Sequence, residues 1–367
     1  MIAARRAPTP HRRTVLVVAA CAVLALVLGV VWRPAPARLP ATITGDASLG
    51  QLGREVVGDD RPALAAACVS PGSIRTAVMG AGATDRFEIG SISKGLTGLL
   101  LADMIERGEV RADTRLETLL PVTGALAEVT LSQLATHTSG LPTQLPTLQQ
   151  AGRNYWASLT AGNPYDDTVR QRLAALRDVP LDAAPGTYSN LGFELLGAAL
   201  ASAADLPYRD LVRERILIPV GLSRASVPYD DAELTDADLL GQTAGGRTAD
   251  AWLGEALAPA GGVRADISEM AVLTQRLLTG EAPGMDALTP KTTVDDTPTG
   301  WAWITLPSPF NERPVTWHNG GTGGFTSFLG IDRERQVGVV ILSSLQESPN
   351  STTRAGFELL DRIGDCA

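Results

Sequence analysis

The longest apolar run comes first. Residues 14–32 read TVLVVAACAVLALVLGVVW, nineteen positions without a charge. At about 1.5 Å of rise per residue, such a helix approaches the roughly 30 Å hydrocarbon thickness of a bilayer. A stiff Pro/Ala stretch, RPAPARLP, follows from Arg33, and the pattern of a folded body begins near Ala47. ALAAACVS and SIRTAVMG, joined by Pro71 and Gly72, predict two strands. From Ser91 the apolar positions Ile92, Leu96, Leu99, Leu100 and Ile105 recur at helical spacing up to Gly108. The middle, with segments such as YSNLGFELLGAALASAA, reads as helical and rich in loops. Towards the end GWAWITL, TSFLGID and QVGVVILSS predict short strands, and a helix is expected over residues 351–363, after Pro349. Strands at both ends of a helical centre predict an α/β (α+β) fold: a sheet domain with a helical insertion over about residues 120–258. No internal repeat or low-complexity segment follows the linker. The expected division is a basic tail over 1–13, an apolar segment over 14–32, a linker over 33–46 and one globular domain over 47–367.

Charge changes the picture at the N-terminus. The chain of 367 residues is 44% hydrophobic, ample for a core, and carries a formal charge of −9. Its first forty residues hold six arginines and no acid, so the body is more acidic than the whole and is not expected to bind nucleic acid. Arg5, Arg6, Arg12 and Arg13 precede the apolar run and should stay in the cytoplasm, which puts the body outside the membrane. Two readings compete: an uncleaved membrane anchor, or a signal peptide cleaved at the APA of residues 35–37. The run exceeds the roughly 7–15 apolar residues usual in a signal segment, which favours the anchor. VAAC, ending at Cys21, has the look of a lipoprotein box, but apolar sequence continues well past it. Of three cysteines, Cys21 lies in the apolar run, leaving Cys68 and Cys366 as an even pair in an oxidising compartment.

Only two of the 31 basic residues other than histidine are lysines, Lys94 and Lys291. Lys94 closes SISK, in which Ser91 and Lys94 stand three apart at the start of the expected helix, on one face. A serine hydroxyl needs a base to become a nucleophile. A buried lysine can be that base, whereas arginine keeps its proton at any working pH. GTYSNLG supplies Tyr188 and Asn190; a phenol can relay protons between nucleophile and leaving group. TWHNGGTGGFTSF supplies His318 and Gly320 ahead of a glycine-rich entry into a strand, where a ligand can approach the backbone. Each segment alone has an ordinary reading: a surface lysine, a core tyrosine, a β-turn.

Together, in this order, SISK, YSN and HNG resemble the S-x-x-K, Y-x-N and K-T-G or H-x-G motifs of the serine β-lactamase and penicillin-binding-protein superfamily. The similarity is to the class C β-lactamases, the D-Ala-D-Ala carboxypeptidases and their esterase relatives. LSQLATHTSGLP, RERILIPVGL and PAGGVRADISEMA extend the resemblance from about Leu49 to the C-terminus. It implies a β-lactamase/transpeptidase-like fold, an antiparallel sheet flanked by helices with a helical subdomain. It implies Ser91 as the acylated nucleophile, Lys94 as its base and Tyr188 as proton shuttle. Asn190 would hold Lys94 and the substrate amide, His318 would stand in place of the family's lysine, and Gly320 would line the substrate. The N–H groups of Ser91 and Gly321 would form the oxyanion hole. It further implies a Cys68–Cys366 disulfide, because first strand and last helix lie side by side. No metal or cofactor is expected, and the partner is a small-molecule or peptidoglycan-type acyl compound. A carboxylesterase, or a non-catalytic penicillin-recognising sensor, remains the alternative. Three departures stand out: His318, the lack of a class A-type deacylation glutamate that can be placed, and RADIS at Arg264, where many relatives have a serine-threonine pair. His318 is near neutrality where relatives carry a cation. KTT at Lys291 lacks the glycine and is expected on an exposed loop. His137, in HTSG, is expected to serve a turn rather than the site.

Overall fold

The computed structural model describes residues 35–366 except 177, 178 and 185, together with 14, 15, 17–21 and 23. Those N-terminal positions are helical, and the rest of the expected anchor lies outside the described residues. Among the described residues no helix is long and apolar enough to cross a membrane.

The body is built on an antiparallel sheet. Its strands are β1 (Thr44–Gly45), β2 (Leu64–Ser70), β3 (Ser73–Met79), β6 (Thr292–Val294), β7 (Thr297–Thr299), β8 (Ile304–Pro307), β9 (Pro314–Gly321), β10 (Thr326–Asp332) and β11 (Val337–Ser343), with β4 (Phe87–Glu88) and β5 (Arg264–Ala265) forming a separate pair. The order across the main sheet is β1-β3-β2-β11-β10-β9-β8-β7-β6. The N-terminal hairpin therefore docks beside the last strand, through Ala66 opposite Ile341. The central strands are apolar on both sides because both faces are covered. Leu64, Ala66 and Cys68 point to one layer, with the helices Ala47–Val57 and Pro349–Arg362; Ala65, Ala67 and Val69 point to the other. That second layer holds the helices Ile92–Glu106 and Ile267–Thr279.

Cys68 faces the terminal helix and is bonded to Cys366, with Cα atoms 5.5 Å apart. The expected helix from Ser91 spans Ile92–Glu106, and no residue from Ile92 to Met104 is solvent-exposed. A helix apolar all round belongs inside, and this one runs through the centre. Two expectations need correction. GWAWITL is strand only from Ile304, because Trp301 and Trp303 turn inwards against Gly98 and Gly95, the chain bending at Ala302 with φ +70°. Lys291 is not on an open loop: its amide bonds Thr299 O, and its ammonium lies 2.6 Å from Asp286 and over the Trp301 ring. Between β4 and β5 the described elements are helical, from Ile92–Glu106 to Ala258–Gly261.

Candidate active site

Ser91 sits at the mouth of the central helix because the segment before it is clamped. Arg264, 1% exposed, reaches Glu88 at 2.8 Å and Asp238 at 3.0 Å, tying β4 to β5 three residues ahead of the serine. Ile89 accepts a hydrogen bond from Ser327 Oγ at 2.7 Å. Gly90 then turns with φ +52°, and a Cβ there would stand 2.8 Å from the Gly321 amide nitrogen. Glycine is thus required at 90 on two counts, conformation and close approach. The same turn brings the Gly321 amide, at the end of β9, close to the start of the Ser91 helix. Gly320 is equally constrained, since a Cβ would overlap Ile89 O.

Lys94 is fully buried. Its Nζ donates to Ser91 Oγ at 3.1 Å, Asn190 Oδ1 at 2.7 Å and the Ala260 carbonyl at 2.6 Å. It also stands 4.8 Å from the Tyr188 ring centroid. Burial lowers its pKa to about 7, against the opposing pull of Glu194. Near neutrality a large share of Lys94 is therefore a free amine in hydrogen-bond contact with the serine.

Asn190 opens the helix Asn190–Ala204, capped by Ser189, whose Oγ accepts from Gly192 N at 2.9 Å. Tyr188 precedes the cap and borders the cleft, 38% exposed. Its hydroxyl end is nonetheless enclosed, and burial pushes the phenol above its usual range while a hydrogen bond with Ser91 works the other way. His318, on β9, is 3% exposed and donates from Nδ1 to Asn319 O at 2.6 Å. That bond fixes the proton on Nδ1 and leaves Nε2 as an acceptor. Burial holds its pKa down at about 4, so the ring is neutral at physiological pH. Asn319 points to the opposite face of the sheet, onto Thr353 at 2.7 Å.

The structure therefore gathers Ser91, Lys94, Tyr188, Asn190, His318, Gly320 and Gly321 around one cleft. Several residues about it escaped sequence reasoning. His137, with φ +58°, lies beneath Tyr188 with ring centroids 4.6 Å apart, and its Nδ1 accepts the Ser189 amide at 3.1 Å. In the sequence HTSG marked it as a turn residue, and nothing there placed its ring against the site. Glu194, one turn after Asn190 and 3% exposed, lies 2.8 Å from Arg172, which is itself buried. Burial raises its pKa to about 7, with Arg172 and Lys94 opposing. Tyr165 OH meets Gln144 Nε2 and, at 3.5 Å, Asn190 Nδ2.

Two cavities flank these groups. One, of about 300 Å³, is lined by Gln144, Tyr165, Trp252, Thr243, Gly323 and Gln346. The other, of about 260 Å³, is lined by Tyr188, His137, His318, Asp295, Thr297 and Asn319 and by no lysine or arginine. A larger cavity, about 490 Å³, includes Arg86, Arg209, Arg213 and Arg224 but none of the cleft residues. Among the described residues no group of three or more His, Cys, Asp or Glu is placed to hold a metal ion.

A family model described as Beta-lactamase matches residues 52–361. The chain belongs to the Beta-lactamase family. Members resembling it carry different activities in their names. The D-alanyl-D-alanine-carboxypeptidase/endopeptidase AmpH of Escherichia coli (strain K12) is 27% identical over 284 residues, 69% of this chain and 69% of its own length. Esterase EstB of Burkholderia gladioli is 28% identical over 178 residues, 40% of this chain and 42% of its own length. A solved class C beta lactamase from Rhodobacter sphaeroides superposes with a TM-score of 0.71 at 22% identity, covering 86% of this chain and 98% of the other. The Beta-lactamase fold and superfamily expected from SISK, YSN and HNG are thus the observed ones.

Proposed function

We propose that this chain is a serine hydrolase working through an acyl-enzyme on Ser91, acting on amide or ester substrates of the carboxypeptidase and β-lactamase kind. The observation that carries the reading is the fully buried Lys94 amine 3.1 Å from Ser91 Oγ, with a pKa of about 7. In the proposed reaction the neutral amine takes the hydroxyl proton as Oγ attacks the acyl carbonyl. The Ser91 and Gly321 amides receive the oxyanion. Collapse breaks the acyl bond, and the Tyr188 phenol, protonated at neutral pH, donates to the leaving group and regains a proton through Lys94. Water then attacks the acyl-enzyme by the reverse relay, releasing the acid. Asn190 keeps Lys94 aimed at the serine. In the same reading the 120–258 insertion forms one wall of the cleft, and the 47–367 domain works outside the cytoplasmic membrane on an anchor formed by residues 14–32.

A specific observation favours a carboxylesterase as the second reading. Tyr188 lines the 260 Å³ cavity, and in this reading the leaving group it protonates stands there. That cavity offers Asp295 and two neutral histidines and no cation, a poor seat for a D-alanine carboxylate. The test is intact-mass analysis of the protein after exposure to penicillin, a D-Ala-D-Ala peptide, an uncharged aryl ester and a fluorophosphonate. An adduct on Ser91 from any of them supports the hydrolase. Adducts or turnover only with the ester and fluorophosphonate favour the esterase. Penicillin binding without a covalent adduct, and no adduct elsewhere, supports the sensor.

A further inference from the structure

The helix Leu148–Thr160 is amphipathic in the wrong sense for a water-facing element. Its inward side is polar. Gln150 is 1% exposed and bonds Asn154 at 2.9 Å, Asn154 bonds Gln144 at 2.6 Å, and Arg153 grips Asp167 at 2.8 Å. Its outward side carries Leu148, Ala151, Gly152, Tyr155, Trp156 and Leu159, at spacings of three, four, seven, eight and eleven residues from the first. Leu148 is 93% exposed, Tyr155 66%, Trp156 65% and Leu159 49%. The exposed positions of this helix include no charge. A continuous stripe of this kind marks a docking face rather than scattered surface apolarity.

The path of the N-terminal chain leads to the same corner of the molecule. Ala37 N donates to Gln242 Oε1 at 3.0 Å, and Ala35 packs so closely on Gly246 that a Cβ there would overlap it. Arg247, in the same loop, donates to the Ser158 carbonyl at 3.3 Å and to the Leu159 carbonyl. The N-terminal chain is thus held by the loop that grips the end of the Leu148–Thr160 helix. Trp32 closes the uncharged run only five positions before Ala37. At roughly 3.3–3.6 Å per extended residue, the apolar segment ends within about 18 Å of this corner.

We propose that the outward face of the Leu148–Thr160 helix lies on the surface of the lipid bilayer in which residues 14–32 are anchored. Tyr and Trp are the side chains suited to that boundary, with an apolar body and a polar tip. A helix lying in the interface buries its apolar face among headgroups and upper acyl chains. The other side of the helix, through Asn154, Ala157 and Ser158, lines the 300 Å³ cavity beside Tyr165. Docking therefore sets one arm of the cleft against the membrane, where acyl substrates held at the bilayer would enter. The inference rests on the anchor reading, and the two are separable by experiment.

The test uses the full chain reconstituted into phosphatidylcholine vesicles, with and without brominated acyl chains. Tryptophan emission is compared for the wild type, Trp156→Phe and Trp156→Tyr, with fluorophosphonate labelling to show that the variants keep an intact site. The difference between wild type and variant isolates Trp156 from the other tryptophans. The expected result is loss of the Trp156 component in brominated vesicles, with protection from acrylamide in water. Quenching by acrylamide and not by bromine overturns the proposal, because the face then meets water. Protection from both overturns it too, because a second copy or residues 14–32 then cover the helix. Retention of the chain by vesicles in alkaline carbonate reports on the anchor alone, whichever way the helix faces.

Discussion

If Lys94 is the base, acylation of Ser91 must follow its titration. The amine has a pKa of about 7, lowered by burial. The neutral fraction then rises from about one tenth at pH ~6 to about nine tenths at pH ~8, so acylation should quicken nearly tenfold across that window. The sign is set by the active form: the group works deprotonated, so the rate increases with pH. Other groups facing Lys94 do not titrate there in a way that mimics this. His137 is held at about 3 and His318 at about 4, both neutral throughout, and the Tyr188 phenol is pushed above its usual range. Glu194 is the exception, at about 7, and the two groups titrate as a pair. Its charge favours protonated Lys94, so Glu194→Gln should move the rising limb to lower pH and make the variant relatively faster near pH ~6. Removing one partner of a buried ion pair costs about 3–5 kcal/mol, so melting must show that the variant is folded. The shift of the limb is a readout that a purely structural role would not produce. The assay is the rate of covalent labelling by an uncharged fluorophosphonate between pH ~5 and ~9, read by intact mass. A flat profile from pH ~6 to ~8, or a limb that moves to higher pH in Glu194→Gln, refutes the assignment of Lys94 as base.

Two further outcomes are expected. Cys68 and Cys366 close a loop of sequence separation 298, worth about 5–6 kcal/mol in the chain-entropy view, although measured losses run at about 2–5 kcal/mol; Cys366→Ala should lower the urea midpoint clearly, and an unchanged midpoint or two free thiols on the exported protein contradicts this. The mature protein should keep residues 14–32 and resist carbonate extraction, whereas a soluble product beginning near Arg38 would mark the segment as a cleaved signal.

Much of the cleft was legible in the sequence because its parts are local. Ser91 and Lys94 share one helical turn, Tyr188 and Asn190 flank one helix cap, and His318 to Gly321 end one strand. The central strands were legible because burial on both faces writes an unbroken apolar run, as in VGVVILS. What stayed hidden depends on contacts between distant segments. Arg172 and Glu194 meet only after their helices pack, and nothing in VRQRLA or FELLG marks either residue as a partner. His137 read as a turn residue, and it is one, with φ +58°, but that turn also carries the ring beneath Tyr188. Trp301 and Trp303 fitted a strand pattern, but the room left by Gly95 and Gly98, with the Trp301 amide bonded to Ala287 O and the Ala302 amide to Ala135 O, turns them inwards instead. The polar side of the Leu148–Thr160 helix is buried, so periodicity alone would have faced it to water.

The role of Lys94 as base of Ser91 is tested most directly by one comparison, the fluorophosphonate labelling rate of the wild type, Lys94→Arg and Ser91→Ala. Lys94 Nζ is enclosed by Ser91 Oγ, Asn190 Oδ1 and Ala260 O within 3.1 Å. Arginine keeps the charge but cannot give up its proton, and its planar fork is larger than that space. A single adduct is expected on the wild type, none on Ser91→Ala, and a rate about 10² to 10⁴ lower in a folded Lys94→Arg. Wild-type labelling by a well-folded Lys94→Arg variant, or an adduct that survives Ser91→Ala, would contradict that role.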